Sequence, residues 1–468
     1  MKKKILSCLL IALCAAFSYA QDGYVILTSP EVAVEYQVVA ISPNGRWACG
    51  NINDGNYRGF VWDLVSGEVT ELSSAGDITI ALDVSNDGTV VGSFTTNEGT
   101  PNNAPVETYG KWKDGRWEAL SIIEPSTGNR ISMDGYAGCI SADGSTIGGI
   151  GGYSGSYVPV VWVNGELHIV ENYTGAVYGI SSDGKMLCGW SNHPQKYNRS
   201  CAIWTSSENG LYDVKTYTDL ESLYSAGPFC VARRFSPNDK YVVAYNRVYN
   251  TETHEATVFN FNEFAGFEFY GVNNDGSVYG QYGETLATSH AVIKALDGTT
   301  TDVRQMLIEK GVNLDKYPTL ITVAGISEDM KSIAVVAYDT LDIPRSLVIK
   351  LDVDTLHSAP VALKSRLLEG LNSVKLTWKA PLSNQGAVKG YNIYRDGTLV
   401  ATTSQAEMQY YDRNLPEGTY SYTVRAIYAD ELSEEGEPLS VTVAGVEPTA
   451  PRNLIAVQSG LNDVRLMW

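Results

Sequence analysis

The chain of 468 residues carries 53 acidic against 34 basic side chains, a net charge of -19, with 44% hydrophobic residues and 44 glycines. That much apolar side chain supports a large core and excludes a disordered acidic tail. The negative charge, with no basic run beyond Lys2, Lys3 and Lys4, argues against nucleic acid as a partner.

In chain order, that triplet precedes the apolar run Ile5 to Phe17 and the small-residue pattern Ser18-Tyr19-Ala20. The pattern predicts a secretory signal peptide over 1–20, cleaved before Gln21. Loss of three lysines then takes the charge from -19 to -22. No other segment reads as a membrane span. Next comes an isolated strand-like run, Gly23 to Thr28. After it one five-residue phrase recurs seven times, at 41–45, 84–88, 140–144, 180–184, 235–239, 272–276 and 326–330. Each copy lies between short apolar runs, so its Asn-Gly or Asp-Gly falls where a tight hairpin needs positive φ. A third strand is expected at 60–62, 109–112, 160–162, 202–204, 258–259, 291–293 and 347–349. A fourth is clearest at 67–72, 115–120 and 165–170. Four antiparallel strands per unit of 37 to 56 residues make the blade of a β-propeller. The seventh unit ends near Leu351 without a fourth strand, and Gly23 to Thr28 is expected to supply it and close the ring. The fifth unit is the weakest, with a 37-residue spacing and an unclear fourth strand.

The phrases resemble the TolB-type and HAF-type extracellular repeats of bacterial secreted proteins. The resemblance covers about residues 37–352. It rests on the Ser-x-Asp-Gly turn, the glycine near the end of strand two, the Phe/Ile-x-Trp strand and connectors such as 301–307. Units five and seven lack the turn glycine and the tryptophan. Further on, residues 370–378 recur at 460–468, a spacing of 90. With Trp378, the 390–397 hairpin and the 415–424 corner, residues 359–446 look like a fibronectin type III domain. Residues 447–468 then read as the truncated start of a second. The expected fold is all-β, a seven-bladed propeller over 21–358 followed by an immunoglobulin-like sandwich.

The chemistry-bearing residues are sparse. Five histidines show no metal-ligand spacing, and no cofactor is expected. The glycine-rich stretch 148–155 opens no helix and reads as a flexible loop rather than a phosphate cradle. Cys49, Cys139, Cys188, Cys201 and Cys230 allow at most one bridge, for which Cys188 and Cys201 are the placed pair; buried free thiols are otherwise expected. The turn aspartates are explained by local backbone bonding. The residue just before each phrase forms a column, Ala40, Asp83, Cys139, Gly179, Arg234, Gly271 and Gly325. Asp83 and Arg234, with Arg233 beside it, are candidates for the central channel. Strand two-to-three loops and unit connectors share one face, where 121–134, 215–228 and 303–319 are long. Tyr57, Tyr109, Tyr153, Tyr157, Trp190, Tyr197, Tyr249 and Tyr282 are expected there as rings for a sugar or protein. The expected protein is an exported binding protein, extracellular or at the cell surface with the periplasm as an alternative. Its partner would be a glycan or an extracellular protein, with fibronectin type III modules as spacers. The alternatives are a carbohydrate-active enzyme, which needs two carboxylates about 5 to 9 Å apart, and a structural envelope component.

Overall fold

Short alternating runs punctuated by turn residues make the described residues β throughout but for one α-helix, Val303–Glu309. The computed structural model describes residues 23–29, 35–53, 57–74, 78–97, 106–192, 200–206, 212–215, 231–244, 246–259, 266–283, 288–353, 357–368, 372–382, 388–429, 432–444, 455–458 and 464–467. The expected signal peptide lies outside them. The chain divides into two units, 1–354 and 355–468.

Among the described residues unit 1 holds seven four-stranded antiparallel sheets, six of them built from four consecutive strands. Their first strands are Glu35–Ile41, Thr79–Val84, Ser132–Ile140, Gly175–Ile180, Ala232–Phe235, Phe267–Val272 and Thr319–Ile326. These seven strands touch one another in cyclic order, the last beside the first. In the seventh sheet the outer strand is Gly23–Thr28, which pairs along Pro344–Val353 from Gly23 opposite Val353 to Thr28 opposite Leu347. In the fifth sheet the third strand is Arg247–Asn250 and the fourth is Ala256–Val258, so the expected third strand at 258–259 is corrected. The apolar pair Val258-Phe259 mimics a third strand. The turn before it, where His254 has φ 61 and donates its amide to Asn250 O, closes the hairpin between strands three and four.

The repeated phrase is a hydrogen-bonded unit. In copy three Ser141 Oγ donates to Asp143 Oδ1 at 2.6 Å and accepts from Thr146 N at 3.0 Å; copies one, four, five and seven repeat both bonds. Burial pushes the carboxyls of Asp87, Asp143 and Asp183 up, yet Lys113 at Asp87, Lys185 at Asp183 and the hydroxyl and amide donors of all three turns outweigh it and hold them below the usual range. Where units five and seven lack glycine, Asp239 and Met330 take φ 61 and 58 themselves. The turns also bond to each other around the ring. Asn44 N donates to Asn86 Oδ1, Asn86 N to Ala142 O, Ser182 N to Asp239 Oδ1, Asn238 N to Asn274 Oδ1, and Glu328 N to Pro43 O. The hydroxyls and carboxylates are thus consumed in closing one end of unit 1.

Every first strand has a register shift just before the column residue, for example between Ala81 and Asp83 or Ala232 and Arg234. A bulge lets two successive residues address the same side. It also explains the glycine of strand two. A Cβ at Gly50, Gly92, Gly149, Gly189 or Gly280 would overlap a first-strand carbonyl, that of Gln37, Ile80, Tyr136, Ala176 or Glu268. The stretch 148–155 is corrected accordingly. Gly148, Gly149, Gly151 and Gly152 lie in the strand Thr146–Tyr153, where the Tyr136 carbonyl leaves no room for a Cβ at Gly149 and the Val177 and Cys139 side chains leave none at Gly148. Cys49, Cys139 and Cys188 are buried free thiols, the state the sequence favours; the same expectation for Cys201 is corrected, since it is disulfide-bonded.

Unit 2 is a sandwich of a three-stranded sheet, Val361–Leu368, Ser373–Lys379 and Gln409–Asp412, and a four-stranded sheet. The latter runs Thr398–Ser404, Gly390–Arg395, Gly418–Ile427, Leu439–Val443. Trp378, Tyr391 and Tyr422 fill its core. Tyr420 OH donates to Pro416 O at 2.8 Å, fixing the 415–424 corner. Beyond it Ile455–Gln458 pairs with Val464–Met467.

Candidate functional site

The column residues meet where the seven first strands converge. Arg234 Nη2 lies 3.3 Å from Asp83 Oδ1, and Asp83 accepts from Val84 N at 3.0 Å and Ile140 N at 3.2 Å. Burial raises the Asp83 carboxyl above the usual carboxylate range, opposed by Arg234 and the two amides. The Tyr279 side chain interacts electrostatically with Arg234 from the second strand of the sixth sheet. Sequence reasoning missed Tyr279. Its signal is Gly271 opposite, where any Cβ would overlap the Tyr279 hydroxyl. Gly271→Ala is therefore expected to displace Tyr279 from Arg234 and to destabilise unit 1 by about 1–3 kcal/mol, measured by urea unfolding of the full chain. An unchanged midpoint would show that Tyr279 has another route to Arg234.

Beside this network is a cavity of about 60 Å³ lined from all seven sheets, by Ile41, Asp83, Cys139, Gly179, Arg234, Tyr279 and Ile326 among others. It has room for a few waters, far below the roughly 300 Å³ of a small-molecule site. Its wall includes Pro43, Ala142, Ser182 and Pro237 of the turns, so it sits toward the sealed end. Burial pushes the thiols of Cys49, Cys139 and Cys188 up, which leaves them protonated and poor as nucleophiles. Among the described residues no group of three His, Cys, Asp or Glu is disposed to hold a metal. The Asp83–Arg234 pair is thus a strut between the second and fifth sheets.

A second tier is wetter. The bulge that sends Arg234 into the pair leaves Arg233 46% exposed at its side chain, with Nη1 3.7 Å from Glu268 Oε1. Gln281 Nε2 donates to the other Glu268 oxygen at 3.3 Å, and burial first, then Glu268, raises the Tyr270 hydroxyl above the ordinary phenol range. Burial first, then the neighbouring Tyr178, raises Tyr136 likewise. Glu268, Tyr270, Tyr136 and Tyr178 escaped the sequence reading because the bulge breaks strict alternation. Among the described residues, the first-strand carboxylates Asp83 and Glu268 each face an arginine.

The expected loop rings divide. Tyr57, Tyr157 and Tyr282 are exposed, and Tyr153 is half-buried against the core of the second and third sheets. Tyr109, Trp190 and Tyr249 are corrected, being buried inside strands. Tyr109 OH donates to Ser132 O at 2.7 Å, Trp190 pairs with Cys201, and the Tyr249 hydroxyl lies 2.7 Å from His254 Nδ1. Tyr197 and most of 215–228 lie outside the described residues. The exposed apolar side chains are one-sided. Among the described residues of unit 1 nine large ones are exposed, including Tyr57 at 60% and Leu341 at 76%. All nine lie at strand two-to-three loops, connectors or the strand ends that lead into them, the end opposite the sealed turns.

No family model matches the chain. It is 35% identical over 123 residues to "Fibronectin type III domain-containing protein 1" of Margaritifera margaritifera, covering 25% of this chain and 16% of that protein. It is 35% identical over 104 residues to "Usherin" of Homo sapiens, covering 21% and 2%. Among solved structures, "Structure of FN3tt mut" aligns at 26% identity over 18% of this chain and 94% of that one, with a TM-score of 0.16. A "Fn3-like protein from Clostridium thermocellum" aligns at 23% over 20% and 98%, with a TM-score of 0.17. The chain therefore spans a small part of the curated relatives it matches. The sandwich of unit 2 is a fibronectin type III-like domain. No helix among the described residues is long and apolar enough to cross a membrane.

Proposed function

We propose that the chain is an exported binding protein of adhesion or spacer type, in which unit 1 is a seven-bladed β-propeller and the fibronectin type III-like domain extends it from or toward a surface. The cyclic contact of seven first strands and the N-terminal strand on the seventh sheet support the propeller reading. The TolB-type and HAF-type likeness rests on the repeated turn, the strand-two glycine, the Phe/Ile-x-Trp strand and the connectors, all read from the sequence. The observation that carries the functional reading is the segregation of exposed apolar side chains to one end of unit 1. A monomer seldom gathers them without a partner. That end is assigned to recognition of a glycan or extracellular protein, with Arg233, Glu268 and Tyr270 as the polar centre of the same face. The enzyme alternative gains nothing from Asp83 and Glu268, since an arginine neutralises each.

The test is full-chain binding to a glycan array and to a panel of purified extracellular proteins. The triple variant Tyr57→Ser, Tyr157→Ser, Leu341→Ser is compared with Lys185→Ser at the sealed end. A saturable hit is expected to weaken at least tenfold in the triple variant and to be unchanged in Lys185→Ser. Binding indifferent to the triple variant, or no binding on either panel, rejects the reading.

A further inference from the structure

The outer face of the three-stranded sheet in unit 2 carries an unusual row. Its register places Arg366 opposite Lys375 and Lys375 opposite Tyr411. Val374, Leu376 and Asp412 point into the core, so Lys375 and Tyr411 point out. Lys375 Nζ lies 5.3 Å and Arg413 Cζ 5.7 Å from the centre of the Tyr411 ring. Among the described residues no carboxylate comes within 4.0 Å of Arg366, Lys375 or Arg413. Asp412 on the same sheet is turned inward and taken by Arg395 at 2.9 Å and Tyr422 at 2.8 Å. Like charges directly opposite on a sheet destabilise it. The cation–π contacts to Tyr411 hold the charges in place without neutralising them. In a chain of net charge -19 such a cluster is a local exception that asks for an anion.

We propose that this face binds an acidic polysaccharide, a linear sugar polymer bearing carboxylate or sulfate groups. The row crosses three strands, about 10 Å, on an open sheet face and suits an extended polymer with repeated charges. An acidic protein would want an apolar anchor, and the ring that might serve, Tyr411, is already flanked by cations. Base stacking of a single-stranded nucleic acid needs the same free ring. The proposal is independent of the loop face of unit 1.

The experiment measures full-chain binding by interferometry to polygalacturonate, dextran sulfate and uncharged dextran, with polyglutamate and single-stranded DNA as the other polyanion classes. Binding to at least one acidic polysaccharide is expected, falling as salt rises, with none to dextran; the two acidic polymers tell carboxylate from sulfate. Arg366→Ser with Arg413→Ser is expected to weaken it at least tenfold. Arg366→Glu is expected to abolish it while the melting temperature holds or rises, because the new carboxylate faces Lys375. Lys389→Ser, ahead of the Gly390–Arg395 strand in the other sheet, is expected to change nothing. No binding to either polymer, tighter binding to polyglutamate or DNA, or an equal loss in Lys389→Ser overturns the proposal.

Discussion

A chain from which residues 23–29 have been removed is expected to lose cooperative folding of unit 1. The strand Gly23–Thr28 buries Leu27 and packs Tyr24 and Ile26 on the core that joins the sixth and seventh sheets. Full burial of Leu27 is worth about 1.5–3 kcal/mol and the half-buried Tyr24 and Ile26 add about half as much each, a loss of about 3–6 kcal/mol against the roughly 5–15 kcal/mol that stabilises a domain. Its bonds reach beyond its own sheet. Tyr24 OH accepts from Asn313 N at 2.8 Å and Ser29 Oγ from Ser346 N at 3.3 Å, while Ser346 Oγ accepts from Val38 N at 2.7 Å and donates to Tyr36 O at 2.6 Å. One serine thus clips the seventh sheet to the first. Removal also bares the edge of Pro344–Val353, where Leu347, Val348 and Ile349 run together, and an apolar edge recruits other chains. Urea unfolding and light scattering of the shortened chain check both effects, and an excess of a peptide of residues 21–31 is expected to restore the native transition. A shortened chain that unfolds at the wild-type midpoint would show that the ring does not depend on this strand.

That closure was legible in the sequence because two separate defects, a missing fourth strand and an orphan one, had a single repair. The hairpins were legible for a more local reason. Serine, Asp or Asn, and a residue able to take positive φ specify the turn by themselves, as the Ser141, Asp143 and Gly144 bonds illustrate. Asp83 and Arg234 came from aligning the repeats, which converts seven noisy strands into one column. What failed depends on information outside the repeat. Val258 and Phe259 had the composition of a third strand, and only the turn at His254 decides otherwise. Tyr109 and Tyr249 sit a few residues inside strands, so an error of that size in a strand boundary moves a ring from solvent to core. The bulges have no residue of their own. Their trace is the strand-two glycine opposite, and without it Tyr136, Tyr178, Arg233 and Tyr270 have no predictable side.

Breaking the axial pair from either side is expected to cost far more than removing it. Asp83→Asn leaves Arg234 without its counter-charge, and Arg234→Met leaves a carboxylate that is only 9% exposed without one. Loss of one partner of a buried pair typically costs about 3–5 kcal/mol, whereas replacing both is often near neutral. The double substitution is therefore expected to be more stable than either single one, with a coupling of about 2 kcal/mol or more in a double-mutant cycle. The pH dependence gives a second readout with a definite sign. Burial already raises Asp83 and Arg234 opposes that rise, so Arg234→Met raises the carboxyl further. A carboxyl whose folded pKa exceeds its unfolded value contributes stability below the unfolded pKa and loses it as pH climbs through the folded one. Arg234→Met is thus expected to be closest to wild type in acid and to fall away toward neutrality, while Asp83→Asn, which has no carboxyl there to titrate, loses this contribution to the pH dependence. Urea midpoints across that range decide it, and an additive cycle or a pH-independent Arg234→Met would mean that the two charges stand close without acting as a pair. Because the pair lies toward the sealed end, the double variant is also expected to keep any binding at the loop end, which separates the strut from the recognition face.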